Sequence, residues 1–89
     1  MADIFDNQVT LITGASSGIG RATALHFAAN GAKVMVADSN VEGGEETVTS
    51  IKETGGEASF VHVDVTQSSE VDAMVTRTVE TYGRLDYAF

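Results

Sequence analysis

No cysteine and no proline occur in these 89 residues, and only five side chains are cationic. Without cysteine there are no disulfides, no thiolate metal sites and no cysteine nucleophile, a composition compatible with the cytoplasm. Thirteen acids face five scattered cations (Arg21, Lys33, Lys52, Arg77 and Arg84), leaving a formal net charge of −8. Such a surface repels a phosphate backbone, so nucleic acid and anionic membranes are poor partners. No apolar run approaches the roughly 18–20 residues of a membrane span, and Met1 to Asp6 carries two acids and no basic leader region. A soluble, cytoplasmic protein is the expectation. At 43% apolar content the chain suffices for one compact domain or part of one, since domains usually run to roughly 100–150 residues.

Nine glycines are present, and they are clumped at 14/18/20, 31, 43/44, 55/56 and 83, so they punctuate the chain. Val9 to Thr13 is a short β-branched and apolar run ending at Gly14, a strand buried on both faces. From Ile19 the spacing turns helical, with Ile19, Ala22, Leu25 and Ala29 along one stripe and Asn30-Gly31 as the stop. Lys33 to Ala37 predicts a second strand ending in Asp38. Val41, Gly44, Val48 and Ile51 predict a second helix, with Glu42, Glu45 and Glu46 near its positive end and Gly55-Gly56 closing it. Ser59 to Val65 predicts a third strand. Thr66 is the expected N-cap of a third helix whose core face carries Val71, Met74, Val75, Thr78, Val79 and Tyr82, closed by Gly83. Leu85 to Phe89 begins a fourth strand. A β-α-β-α-β-α-β order with short loops predicts a parallel, doubly wound α/β sheet in the order 3-2-1-4, two helices on one face and the third on the other.

Thr13-Gly14-Ala15-Ser16-Ser17-Gly18-Ile19-Gly20 sits at the first strand–helix junction, where glycines let the backbone approach a pyrophosphate and free N–H groups attract its charge. A side chain at Gly18 or Gly20 would stand in the ligand's way or hold the helix off the strand. The spacing is Gly-x-x-x-Gly-x-Gly, and a glycine pattern alone is weak evidence. Asp38 strengthens it: 18 residues past Gly20, at the end of the second strand, its carboxylate can accept both adenosine ribose hydroxyls and would repel a 2′-phosphate. NAD is therefore expected over NADP, with Arg21 the one nearby cation that works against it. Gly14-Ala15-Ser16-Ser17-Gly18 also satisfies the Gly-x-Ser-x-Gly nucleophile elbow of serine hydrolases, with Ser16 as nucleophile. Against that alternative, an elbow strand lies in the middle of its sheet and needs a preceding oxyanion loop, whereas only a short stretch precedes Gly14. His26 and His62 each read more simply as structural, since no Cys or His cluster accompanies them. Asp38 could be a turn residue, and Asp64 a strand-end acid that helps Thr66 cap the third helix.

Together, TGASSGIG, Asp38 after a second strand, Asp64-Val65 after a third and the closing YGRLDYAF resemble the classical short-chain dehydrogenase/reductase family over nearly the whole chain. The resemblance implies a Rossmann-type domain. It also implies that Gly14, Ser16, Ser17, Gly18 and Gly20 shape the cofactor loop and that Ile19 lines the site near the pyrophosphate. Asp64 would bond the adenine amino group, and the Val65 amide a ring nitrogen. The family's Asn-Asn-Ala-Gly segment, catalytic serine and Tyr-x-x-x-Lys pair have no counterpart within residues 1–89, so the chain is expected to be the NAD(H)-holding part of an oxidoreductase acting on an alcohol or carbonyl. A stand-alone nucleotide-binding or folding module without turnover is the main alternative. An open sheet edge beside the fourth strand predicts self-association or docking to a C-terminal half.

Overall fold

The computed structural model describes residues 4–64 and 66–89; Val65, expected to contact adenine, lies outside the described residues. The elements run β1 (Val9–Thr13), α1 (Gly18–Ala29), β2 (Lys33–Asp38), α2 (Val41–Glu53), β3 (Glu57–His62), α3 (Ser68–Tyr82) and β4 (Tyr87–Ala88). All pairings are parallel, and the sheet order is β3-β2-β1-β4, as the alternation of strand and helix periods predicts.

Strand alternation divides the core into two layers. Ile12, Val34, Val36 and Ala58 turn to one face, where Ala24 and Ala28 of α1 and Val48 and Ile51 of α2 cover them. Leu11, Met35 and Ala37 turn to the other and meet Met74 of α3, with Val71, Tyr82 and Leu85 packed around them. β1 and β2 are thus covered on both sides, which is why they read as continuous apolar runs.

Four local expectations are corrected. In α1 the stripe Ile19, Ala22 and Ala29 is exposed, and the helix buries Ala24 and Ala28. The row Gly20, Ala24, Ala28 is made of small residues because α1 lies close to the sheet; such residues give little hydrophobic signal. In α3 the buried row is Met74 and Thr78, with Tyr82 half-buried, while Val75 and Val79 are exposed. Among the described residues α3 is alone on its face, so the flanks of its apolar stripe have no neighbouring helix to meet. The N-cap of α3 is Gln67, which makes no side-chain cap bond; Thr66 donates instead from its backbone N–H (3.0 Å) and its hydroxyl (2.6 Å) to Asp64 Oδ1. Finally, β3 starts two residues before the expected Ser59 and stops at His62. Its extent follows β2, since the register pairs Lys33 with Glu57 and Asp38 with His62, and β2 ends there.

The short β4 is anchored more firmly than its two paired residues suggest. The Asp86 and Phe89 N–H groups donate to the Val9 and Leu11 carbonyls at 2.9 Å, the Val9 N–H donates to Asp86 Oδ2 at 2.8 Å, and the Thr13 hydroxyl donates to the Phe89 carbonyl at 2.9 Å.

Candidate functional site

The junction between β1 and α1 forms the centre of the site. Gly14 and Gly18 adopt φ of 67° and 58°, a left-handed backbone that a side chain disfavours by about 1–2 kcal/mol. A Cβ added at either would meet nothing within 4 Å, so these residues leave open space in front of the loop. Gly20 is glycine for another reason: its Cβ would fall 2.1 Å from the Gly14 carbonyl oxygen, so α1 could not start where it does. Of the two roles the sequence suggested for glycine here, holding the helix close belongs to Gly20, and leaving room belongs to Gly18.

The start of α1 is built to receive negative charge. Ser17 is its N-cap and makes no side-chain cap bond, and no acid lies in its first turn. The contrast with α2 is direct, because there Asn40 Oδ1 accepts from the Gly43 N–H at 3.0 Å and Glu42 occupies the first turn. The first N–H groups of any helix lack intrahelical partners and carry partial positive charge. In α2 the Asn40 side chain takes one of them, whereas the start of α1 has no side-chain cap bond and no acid in its first turn, an arrangement that suits an anion. Ile19, just inside this helix, is 87% exposed and stands beside the same opening.

Asp38 ends β2 next to the loop. Its Oδ2 accepts from the Ser16 N–H at 3.2 Å and its Oδ1 from the Asn40 N–H at 2.9 Å. Partial desolvation works against its charged form, yet hydrogen bonds from Asn40, Ser16 and Ser39 outweigh it and hold the carboxyl below the usual carboxylate range. Asp64 is likewise held low, by the Thr66 hydroxyl first and the Thr66 N–H second, and the Asp64 N–H donates to Glu70 Oε1 at 2.9 Å. Gly14, Asp38, Ser39, Val63, Asp64 and Thr66 line one cleft of about 270 Å³. It lies at the carboxyl ends of β1, β2 and β3, where open α/β sheets place their ligands. The glycine loop, the Asp38 carboxylate and a second acid, Asp64, thus follow one another along a single edge, an arrangement that fits an adenine dinucleotide. A larger hollow of about 460 Å³, lined by Gly31, Lys33, Gly55 and Glu57 among others, lies at the opposite end of the sheet and shares none of these groups.

The hydrolase alternative finds no support in this geometry. Ser16 is buried, its N–H donates to Asp38, and it lacks the positive φ found among the described non-glycine residues only at Asn7. His26 and His62 are both exposed, and among the described residues no group of three or more His, Cys, Asp or Glu is placed to hold a metal. Three residues with a part in the site went unrecognised in the sequence. Asn40 carried a usable signal, being an N-cap type immediately before a helical pattern. Gly43 and Thr47 carried none, since their partners lie far off along the chain.

Comparison with known proteins agrees with this architecture. The family profile described as short chain dehydrogenase matches residues 8–88. An uncharacterized oxidoreductase of Thermotoga maritima is 52% identical over 82 residues, covering 92% of this chain and 32% of that protein. Levodione reductase of Leifsonia aquatica is 42% identical over 87 residues, covering 96% and 33%. Among solved structures, a short chain dehydrogenase/reductase from Burkholderia phymatum in complex with NAD superposes with a TM-score of 0.92 at 35% identity, covering 96% of this chain and 30% of that one. The chain spans about a third of the length of the curated relatives it matches.

Proposed function

The chain belongs to the short chain dehydrogenase family, and from that premise we propose that residues 1–89 are the cofactor-binding part of an NAD(H)-dependent oxidoreductase acting on an alcohol or carbonyl substrate. The observation that carries the proposal is the uncapped, acid-free start of α1 behind two bare glycines, with Asp38 bonded to the same loop. When bound, a nicotinamide cofactor supplies the two-electron redox chemistry. The chain's own residues then bind and orient it: N–H groups of the Gly14–Gly20 loop, with Ser16 and Ser17, receive the pyrophosphate, and Ile19 shields it. Asp38 accepts the ribose hydroxyls, while Asp64 and Val65 hold the adenine. Residues 1–89 form part of a Rossmann domain and catalyse nothing by themselves. Among the described residues no helix is long and apolar enough to cross a membrane, and a cytoplasmic setting goes with this proposal.

NAD is favoured over NADP on charge. Asp38 stays ionised at neutral pH, and the hollow beside it, about 410 Å³, is lined by Glu42 and Glu46 as well as Arg21; Arg21 is engaged by Glu46 at 3.3 Å. A 2′-phosphate would meet more negative than positive charge there. Calorimetric titration with NADH and NADPH, on the chain and on Asp38→Ala, tests both parts. We expect saturable NADH binding, NADPH weaker by about tenfold or more, and a difference that shrinks in the variant. A folded chain that binds neither would favour a module whose role lies elsewhere.

A further inference from the structure

Arg21 and Thr47 share a hydrogen-bond network that ties the glycine loop to α2. Thr47 is fully buried. Its hydroxyl lies 2.7 Å from the Ala15 carbonyl and 3.2 Å from the Gly43 carbonyl, both acceptors, and accepts from Arg21 Nε at 2.8 Å. Arg21 Nη2 donates to the Ser16 carbonyl and to the Gly43 carbonyl at 3.0 Å, and it lies 3.3 Å from Glu46 Oε1 in an ion pair. Gly43 makes room for this contact, since a Cβ there would lie 2.8 Å from the Ser16 Cβ.

The consequence follows from peptide geometry. A trans peptide is planar, with its N–H pointing opposite its C=O. Fixing the Ala15 carbonyl towards α2 therefore aims the Ser16 N–H the other way, and that N–H is the one donating to Asp38. Fixing the Ser16 carbonyl does the same for the Ser17 N–H, turning it away from α2. We infer that Arg21 and Thr47 are positioning residues for the dinucleotide: they lock two consecutive peptides of the loop, so that the Ser16 N–H holds the Asp38 carboxylate beside the loop and the Ser17 N–H points away from α2 at an exposed position, without touching the ligand themselves. The inference rests on the cofactor reading above. Arg21 serves through the fork of its guanidinium, which reaches a hydroxyl, two carbonyls and a carboxylate at once; an ammonium is a point charge and cannot do this.

Four variants test the clamp, each first checked for folding by circular dichroism and thermal melting, with NADH affinity and the Ser16 and Ser17 amide resonances as readouts. Thr47→Val and Arg21→Met should weaken NADH binding by about tenfold, the scale of one lost charged or buried hydrogen bond, and should shift both amide resonances before any ligand is added. Thr47→Ser should stay within about twofold of the parent, and Arg21→Lys should not restore binding. Full rescue by lysine would mean that Arg21 acts as a charge for the phosphates and would overturn the clamp. So would unchanged affinity and unmoved amides in Thr47→Val, a result that stands even if the Arg21 variants do not fold. If the parent chain binds no NADH, the cofactor reading fails, and the ligand-free amide shifts alone decide whether the peptides are locked.

Discussion

Gly18 and Gly20 stand in the same loop, and their alanine variants should behave differently. At Gly20 the added methyl meets backbone at 2.1 Å, a clash that no rotamer relieves. Helix propensity would favour alanine by about 1 kcal/mol, but overpacking against a fixed backbone costs more, and we expect a net loss of about 2 kcal/mol in urea unfolding. At Gly18 the methyl meets only the positive φ, a cost of about 1–2 kcal/mol. NADH binding should nevertheless suffer, because the methyl fills the space left for the ligand. Unchanged NADH affinity in Gly18→Ala would remove that space from the site. Acid sensitivity also belongs to single residues. Arg84 first and the Val9 N–H second hold Asp86 below the usual carboxylate range, and Asp38 is held low as described. A carboxyl with a depressed folded pKa stabilises the fold fully above its unfolded value, near 3.9, and loses that contribution as pH falls through the folded one. Urea midpoints should therefore be flat from about pH 7 to 5 and fall below about pH 4, and Asp86→Asn should make the fall shallower. A fall equally steep in Asp86→Asn would show that other groups cause it.

The three helix starts differ in purpose. α2 is capped by Asn40, and Asn40→Ala should cost about 1 kcal/mol, readable as a lower denaturation midpoint at unchanged slope. Because Asn40 also donates its N–H to Asp38, and alanine retains that N–H, the loss should appear in stability more than in cofactor affinity. α1 has no side-chain cap bond, which the ligand reading explains by the anion it would receive. α3 has none either, yet its first turn carries Glu70, bonded back to the Asp64 N–H, so its start is already committed to negative charge.

Among the described residues, the β4 border of the sheet is apolar and has no further strand paired to it. Phe27 packs against Phe5 at 4.6 Å between ring centroids, Phe89 at 5.3 Å and Tyr87 at 5.8 Å, yet Phe89 is 58% and Tyr87 37% exposed. Both lie on or beside β4, an edge of the sheet, and Val75 and Val79 add exposed apolar surface on α3. Unpaired strand edges beside apolar surface favour association with another chain. Sedimentation over a wide concentration range should show self-association; a single monomeric species throughout would count against it.

Period and punctuation in the sequence determined the number, order and type of elements, the 3-2-1-4 sheet and the division of helices between its faces, because a strand or helix must turn its apolar side to something. They also placed the glycine loop and Asp38 at neighbouring strand ends, since both follow from strand positions. Local pattern failed where the deciding partner was distant. Ala24 and Ala28 outrank Ile19 in α1 because closeness to the sheet favours small residues, and β3 stops where β2 stops pairing. Arg21 looked like a free cation near the site until folding brought it to Thr47, 26 residues away. The direction in which each loop peptide points is likewise a tertiary matter, fixed by hydrogen bonds from a helix that the loop's own sequence does not contain.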